Sequence, residues 1–433
     1  MALSARSRVL RRVGQAAPVA LGGDICVVGS GIAGISAALE SARLGARVIL
    51  VEGAPTLGGQ AVGAEIGTFC GLFGNGADPP QLTHGIADEI LRDLGATGDL
   101  HYIRGRRNTV IVQYRIEPLA RWIEERVRES GIAAVLGAVL REVERDGRRI
   151  GALHCATRYG DVQVRAQRFV DASGDAALAW LAGLPVREAE GVAIQGTVMV
   201  RFEGVAEAAL ASLDRVELQR RLEAKGDSYG LRRRDGFVFA FPGAGEAIAN
   251  MTHLETPLDP VAASRAMLEG RAQADRLVAF LKTEYPAAFA KARVRSYGQP
   301  GIRQTRSIVG GYRLTAEDVR SGRDFSDAIL RCSWPIEFHD RPEGVQWEEF
   351  GTGHLHRLPF RSLAPPEVDN LLAVGRCIDA DPVALSSVRV MGPCIAMGAA
   401  AAHGLDLAGS GSVHQIDPAA LRRRLARNLG LED

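Results

Sequence analysis

The residues with the clearest chemical meaning are Gly29, Gly31 and Gly34, in the run ICVVGSGIAG at 25–34, and the acid Glu52 that follows 18 positions after Gly34. A G-x-G-x-x-G turn between an apolar strand and a helix is built to hold a pyrophosphate. The first glycine makes the tight turn, the second lets backbone approach the phosphates, and the third packs helix against strand. Ser30, Ile32 and Ala33 complete the loop, and the helix that begins near Ile32 turns unpaired N–H groups and a positive dipole end toward an anion. Glu52 ends the second strand, where its carboxylate can accept both hydroxyls of a ribose. An acid at that position disfavours a 2′-phosphate, so the expected ligand is a dinucleotide other than NADP.

Other side chains could carry acid–base or anion chemistry. His339 closes the stretch WPIEFH, and His354 and His356 flank Leu355 just before LPFRSL. Each reads as a base or as a packing histidine. The H-x-H pair lacks a third ligand, so no metal is expected. Arg303 and Arg306 stand three apart in GIRQTR; on a helical turn they would share a face and could grip a carboxylate or pair with acids. Arg389 reads as structural, Cys70 as buried packing, and Asn250 and His253 as residues lining a sheet face toward a substrate.

The elements that must position these residues begin with a strand–helix–strand unit over about 24–52. A glycine-rich loop follows from Gly58 to Gly76. Helices are predicted over 80–95 and 117–130, and strands over 132–136, 139–144, 149–156 and 162–165, with a hairpin at Asp146 and Gly147. A buried strand at 168–171 runs into the turn at Gly174 and Asp175. Residues 191–364 change character, with alternating strands and a charged helix near 260–284, and read as an inserted sheet domain. The apolar pattern returns in NLLAVGR at 370–376, and a small-residue helix is predicted from about Gly392 to Leu407. The expected organisation is a leader over 1–20, a first nucleotide-binding segment over 21–190, a cap over 191–364, a second nucleotide-binding segment over 365–410 and a tail helix over 411–433.

Composition narrows the function classes. The 433 residues carry a net charge of +1, which gives no footprint for nucleic acid or an anionic membrane. Three lysines stand against 49 arginines, a bias of base composition before any phosphate-binding role. Six scattered cysteines without a C-x-x-C indicate a reducing compartment and exclude Fe–S, structural zinc or a dithiol relay. With no apolar run of membrane length, the expected location is the cytoplasm.

Taken with FVDASGD at 169–175, GIRQTR at 301–306 and the C-terminal NLLAVGRCID at 370–379 and SVRVMGPCIAMG at 387–398, the fingerprint resembles the FAD-dependent oxidoreductase family within the glutathione-reductase-type flavoprotein fold. The resemblance covers nearly all of 24–408. It implies an α/β protein with a Rossmann-like FAD-binding domain and an inserted, mainly β-sheet substrate domain. It further implies that Gly29, Gly31 and Gly34 hold the FAD pyrophosphate, Glu52 the adenosine ribose, and Gly58, Gly59 and Gln60 the ribityl–flavin end. Val139 would supply backbone contacts to adenine, Gly174 and Asp175 would end the strand behind the adenosine, and Gly375, Arg376 and Asp379 would approach the pyrophosphate and ribityl hydroxyls. The turn at Val390, Met391 and Gly392 would aim N–H groups at the pyrimidine edge of the flavin, where a reduced flavin carries negative charge.

A flavin carries out the electron transfer itself, so the protein must orient a substrate and supply an acid or base. The expected activity is dehydrogenation of a small acid, amine or alcohol by hydride transfer to flavin N5. Arg303 is the expected anchor and His356 the expected proton acceptor, with His339 a further candidate. The resemblance places an aromatic hydroxyl in relatives where His356 stands. A monooxygenase and a flavin-holding subunit are the alternatives. The electron acceptor could be oxygen, a quinone or a protein; no nucleic-acid partner is expected, and a homo-oligomer is an open expectation. Only one dinucleotide fingerprint is present, since PGAGE at 242–246 lacks a third glycine, which argues against a reductase with two nucleotide sites.

Overall fold

The computed structural model describes residues 17–105, 109–188 and 194–431. Most of the leader expected over 1–20 lies outside the described residues, and the first strand, β1 (Val19–Val28), already includes Val19 and Ala20. Its second half, Ile25 to Val28, is wholly apolar and buried, as a strand covered on both faces must be. β1 leads through the glycine turn into α1 (Ile32–Arg43), and the chain returns through β2 (Val48–Glu52), parallel to β1.

These elements open a seven-stranded sheet. Ala133–Leu136 lies parallel to β2, and Gly160–Asp171 lies parallel to β1 on its other side. The hairpin of Val139–Asp146 and Arg149–Thr157 continues the sheet antiparallel to Gly160–Asp171. The late strand Leu371–Ala373 then slots in parallel beside Phe169, Val170 and Asp171. This mixed α/β sheet is Rossmann-like, as expected of the nucleotide-binding domain, and Met391–Ala408 covers it beside α1. That helix is buried along nearly its whole length because it is built from Ala and Gly. A methyl on Gly398 would sit 2.3 Å from the Ala33 carbonyl, and Ser36 Oγ donates to the Ile395 carbonyl at 2.7 Å.

A second unit has its own core. Four antiparallel strands, in the spatial order Phe237–Phe241, Glu246–Asn250, Val200–Glu203 and Arg293–Tyr297, pack against the helix Pro260–Glu284 through Val200, Phe202, Leu277, Phe280 and Phe289. This core draws on residues from about 198 to 297. The stretch after it behaves differently from the sequence expectation of one cap reaching 364: Leu314, Phe325, Leu330, Leu358 and Phe360 join the core of the nucleotide-binding domain. The helix predicted over 80–95 begins only at Ile86, because Pro79 and Pro80 hold the preceding backbone extended.

The two units are joined by an ionic cluster. Arg201, only 3% exposed, donates through Nη1 and Nη2 to the two carboxylate oxygens of Glu117 at 2.7 and 2.8 Å, and through Nη2 to Glu246 at 3.1 Å. Arg295 bridges the same two acids at 2.6 and 3.1 Å. Glu117 stands in the first turn of Ile116–Glu129, so this cluster ties the cap sheet to the nucleotide-binding domain. Among the described residues no single helix is long and apolar enough to cross a membrane.

Candidate active site

The glycine turn has the geometry its sequence requires. Gly29 adopts φ 101°, and a methyl there would meet the Ala172 carbonyl at 2.3 Å; a methyl on Gly34 would meet the Gly29 carbonyl at 1.9 Å. Gly31 differs from both. Nothing lies within 4 Å of where its Cβ would be, so the backbone faces room for a ligand. α1 starts at Ile32 without a side-chain cap, leaving the first-turn N–H groups of Ile32, Ala33 and Gly34 to an incoming anion. Arg376 adds a charge: its Nη2 reaches Asp175 at 3.3 Å, while its buried Nη1 has no partner. An open glycine, unpaired helix N–H groups and an orphaned guanidinium nitrogen fit a pyrophosphate.

The remaining nucleotide residues cluster around this turn. Glu52 accepts from Ser30 N–H at 2.7 Å, Ser30 Oγ at 2.6 Å and Ala54 N–H at 2.7 Å, so it also clamps the glycine loop. Val139 is exposed and follows Ala138, whose N–H donates to the Glu52 carbonyl. Gly58 N–H donates to the Ser30 carbonyl, Gly59 packs on Gly31, and Gln60 Nε2 donates to the Ile302 carbonyl at 2.9 Å. Gly174 lies beneath the Arg376 guanidinium, and Gly375 beside Ala33. Asp379 turns away from the group, being fully buried against Arg187 Nε at 2.9 Å and Gly310 N–H at 2.9 Å. At the turn of Val390, Met391 and Gly392, the Gly392 N–H is already taken by the Cys70 carbonyl at 3.0 Å. Of the helix start, that leaves the Met391 N–H for a flavin edge, since Pro393 has none.

Just before that helix start, a buried polar cluster brings together residues from distant parts of the chain. His339 is 1% exposed and bonds through Nε2 to Glu337 Oε1 and through Nδ1 to His253 Nε2, both at 2.9 Å. His253 Nδ1 reaches the Pro342 carbonyl at 3.0 Å. A carbonyl only accepts, so His253 Nδ1 must donate; its Nε2 then accepts from His339 Nδ1–H. That leaves His339 Nε2 facing a carboxylate oxygen at hydrogen-bond distance, and one proton must lie between them. Burial, with Arg303 and Arg233 nearby, holds His339 well below the ordinary histidine value, and burial does the same to His253.

Three arginines surround this chain. Arg303 donates from Nη1 to the Gln195 carbonyl at 2.6 Å and is 6% exposed. Arg389 donates from Nη2 to the Glu337 carbonyl at 3.4 Å. Arg233 pairs through Nε with Asp235 at 2.6 Å and through Nη1 with Asn250 at 3.0 Å, but its buried Nη2 has no acceptor. Burial and then the charges of Arg389 and Arg233 press the Arg303 guanidinium well below its usual value. Guanidinium groups stay protonated in proteins, so this pressure is a demand for a counter-charge.

Two sequence expectations fail here. His356 is fully buried in the strand His356–Pro359, with Nε2 bonded to Ser387 Oγ at 3.0 Å and Nδ1 to His354 at 3.3 Å. Ser387 Oγ passes its own proton to the Trp334 carbonyl. With both ring nitrogens engaged and burial driving its pKa down to about 3, His356 is a neutral packing group and not a proton acceptor facing substrate. Arg306 does not share a helical turn with Arg303, because 302–304 is irregular, the chain bends at Thr305 and 306–308 is extended strand. Arg306 instead pairs with Glu188 at 2.9 Å and lies over Trp180. Glu337 and Arg233 went unread in the sequence. Glu337 had a signal: it stands two before His339 in a strand, Ile336–Arg341, and alternation puts both on one face. Cys70 is inert, its thiol pushed up by burial. Among the described residues no group of acids, histidines and cysteines could hold a metal ion.

Among solved structures, the chain is similar to a geranylgeranyl bacteriochlorophyll reductase-like protein from Thermoplasma acidophilum, at 14% identity over 95% of this chain and 84% of that one, with a TM-score of 0.51. It is similar more loosely to a triple mutant of the flavin-dependent brominase Bmp2, at 16% identity over 93% and 83%, with a TM-score of 0.46. At these identities the first likeness speaks for the fold and for nothing finer. No curated protein matches the sequence. The sequence profile of the FAD dependent oxidoreductase family matches residues 24–425, the span that contains the glycine turn, the orphaned Arg376 and the returning helix; the chain belongs to the FAD dependent oxidoreductase family, and FAD is its cofactor.

Proposed function

We propose that this chain dehydrogenates a small organic substrate beside Arg303 and the Glu337–His339 pair, with FAD laid out as in glutathione-reductase-type flavoproteins. The arrangement is supported by the fingerprint at one end of the sheet and by the return of Leu371–Ala373 and Met391–Ala408 to the same end. Bound FAD supplies a two-electron acceptor for a hydride. The protein contributes the rest: Arg303 and Arg389 orient the substrate, and the Glu337–His339 pair takes the proton released from its hydroxyl or amine.

The observation that carries this reading is the hydrogen-bond chain ending at Pro342. Because that carbonyl fixes the direction of every bond, the single proton between Glu337 Oε1 and His339 cannot drain along the chain, and the substrate proton is taken at the other carboxylate oxygen, Glu337 Oε2. Glu337 keeps 14% side-chain exposure while His339 has none, so a proton enters on the carboxylate side. The neutral state of His253 keeps the chain from acquiring a competing charge.

The test is an anaerobic absorbance screen of flavin-loaded protein against small acids, amines and alcohols. Bleaching of the flavin band by one class is the expected result and names that class. A band that no compound bleaches, or a transient that forms only with oxygen before the yellow colour returns, overturns dehydrogenation. Glu337→Gln is expected to slow bleaching by about 100-fold or more while the protein stays yellow.

A further inference from the structure

We infer that the buried cluster of Arg233, Arg303 and Arg389 is a binding site for the carboxylate of an organic acid substrate, with Arg303 as its principal clamp. The inference rests on the dehydrogenase reading and deepens it by naming the substrate class.

Charge and pairing lead to it together. Three guanidinium groups face two carboxylates, Asp235 and Glu337, and both acids are already engaged. Asp235 accepts from Arg233 Nε at 2.6 Å and from the Val345 N–H at 2.9 Å. Glu337 accepts from Trp334 Nε1 at 3.3 Å and shares the proton of His339. Among the described residues Arg303 meets only a carbonyl and Arg389 only a carbonyl, both through a single nitrogen. Arg233 adds a buried Nη2 with no partner at all. Buried arginine is tolerated where an anion completes it, and a planar two-oxygen anion matches the fork of a guanidinium.

With the Glu337 carboxylate sharing its proton with His339, Asp235 is left as the full negative charge facing three guanidinium groups, and this excess of positive charge selects an organic acid over an amine or a neutral alcohol. The arginine cluster adjoins the start of Met391–Ala408, and Gln60 is tied to Ile302, next to Arg303, so an acid clamped here lies at the flavin end of the site.

The experiment titrates oxidised, flavin-loaded protein with acetate, propionate and benzoate and with the matching amides, reading the perturbation of the flavin band and the melting temperature. At least one acid is expected to bind and its amide to bind about tenfold or more weakly. Arg303→Gln should retain flavin and lose about tenfold or more of the affinity for that acid, whereas Arg306→Gln should bind it as the parent does. If Arg303→Gln does not hold flavin, Arg389→Gln takes its place, and the acid–amide comparison on the unaltered protein needs no variant. Equal binding of acid and amide, no binding by any acid, or full affinity in the arginine variant overturns the inference. The two readings fail separately. Acids that bind without any compound bleaching the flavin keep the anion site and remove dehydrogenation; an amine or alcohol that bleaches while no acid binds does the reverse.

Discussion

Two groups of buried arginines, one around Arg201 and one around Arg303, use the same side chain at nearly the same depth, 3% and 6% exposed. Around Arg201 every charge has a partner: Glu117 and Glu246 each accept from both Arg201 and Arg295. Around Arg303 only Arg233 holds a carboxylate, that of Asp235, while Arg303 and Arg389 meet carbonyls and Glu337 is committed to His339. The first group lies between cap and FAD-binding domain and holds them together. The second lies against a histidine chain at the flavin end and is left incomplete. What separates a structural charge cluster from a binding one here is the pairing and not the burial.

Mutations should break this contrast most visibly at Arg201. Arg201→Met leaves Glu117 and Glu246 with Arg295 as their remaining shared cation and takes away the buried one, and is expected to lower unfolding free energy by about 3 kcal/mol in a denaturant titration. Flavin reduction by the true substrate should persist in whatever fraction stays folded. Arg303→Met inverts the pattern. Removing an uncompensated cation should leave stability within about 1 kcal/mol of the parent, or raise it, while kcat/KM falls on the order of tenfold to a hundredfold.

Acid separates the clusters more gently. The hydrogen bonds from Arg201 bring Glu117 down to about 2. Its folded value lies below its unfolded one, so its contribution is complete above the ordinary carboxylate range and is lost as pH falls from there toward 2. With the Glu117 side chain 52% exposed, that contribution is about 1 kcal/mol. The buried imidazoles of His253, His339 and His356 act at higher pH. Each is held below its unfolded value, so each takes up a proton on unfolding, and stability declines as pH drops below about 6.5. Melting temperature against pH should therefore fall in two limbs, and Glu117→Gln should flatten only the lower one. The smallest effect belongs to Arg306→Gln, an exposed pair with Glu188, expected to change stability by less than about 1 kcal/mol and to leave flavin reduction as it was.

The cofactor end was legible in sequence because local backbone geometry dictates it. Gly29 is required by its positive φ, Gly34 by the Gly29 carbonyl beside it and Gly31 by the space a phosphate needs, and such demands leave a fixed spacing. The substrate end depends on meetings the spacing does not encode. His356 reads as a free imidazole until Ser387, 31 residues later, folds back onto it. Arg303 and Arg306 look paired only while the segment is taken for helix. Glu337 was hidden because its strand was read as a loop, where alternation has no meaning. The cap was overextended for a related reason: residues 306–364 are strand-rich like the four-stranded unit, and only packing reveals that their apolar side chains serve the other core.

The late strand Leu371–Ala373 and the helix Met391–Ala408 have a consequence for synthesis. The glycine turn emerges from the ribosome early, but its neighbours across the sheet and against α1 are made some 340 residues later. The cap, contiguous from about 198 to 297 with a core of its own, can settle while the chain is still growing. The fingerprint must wait in an unfinished sheet, and the nascent protein can acquire its yellow colour only once residues 371–408 have been made.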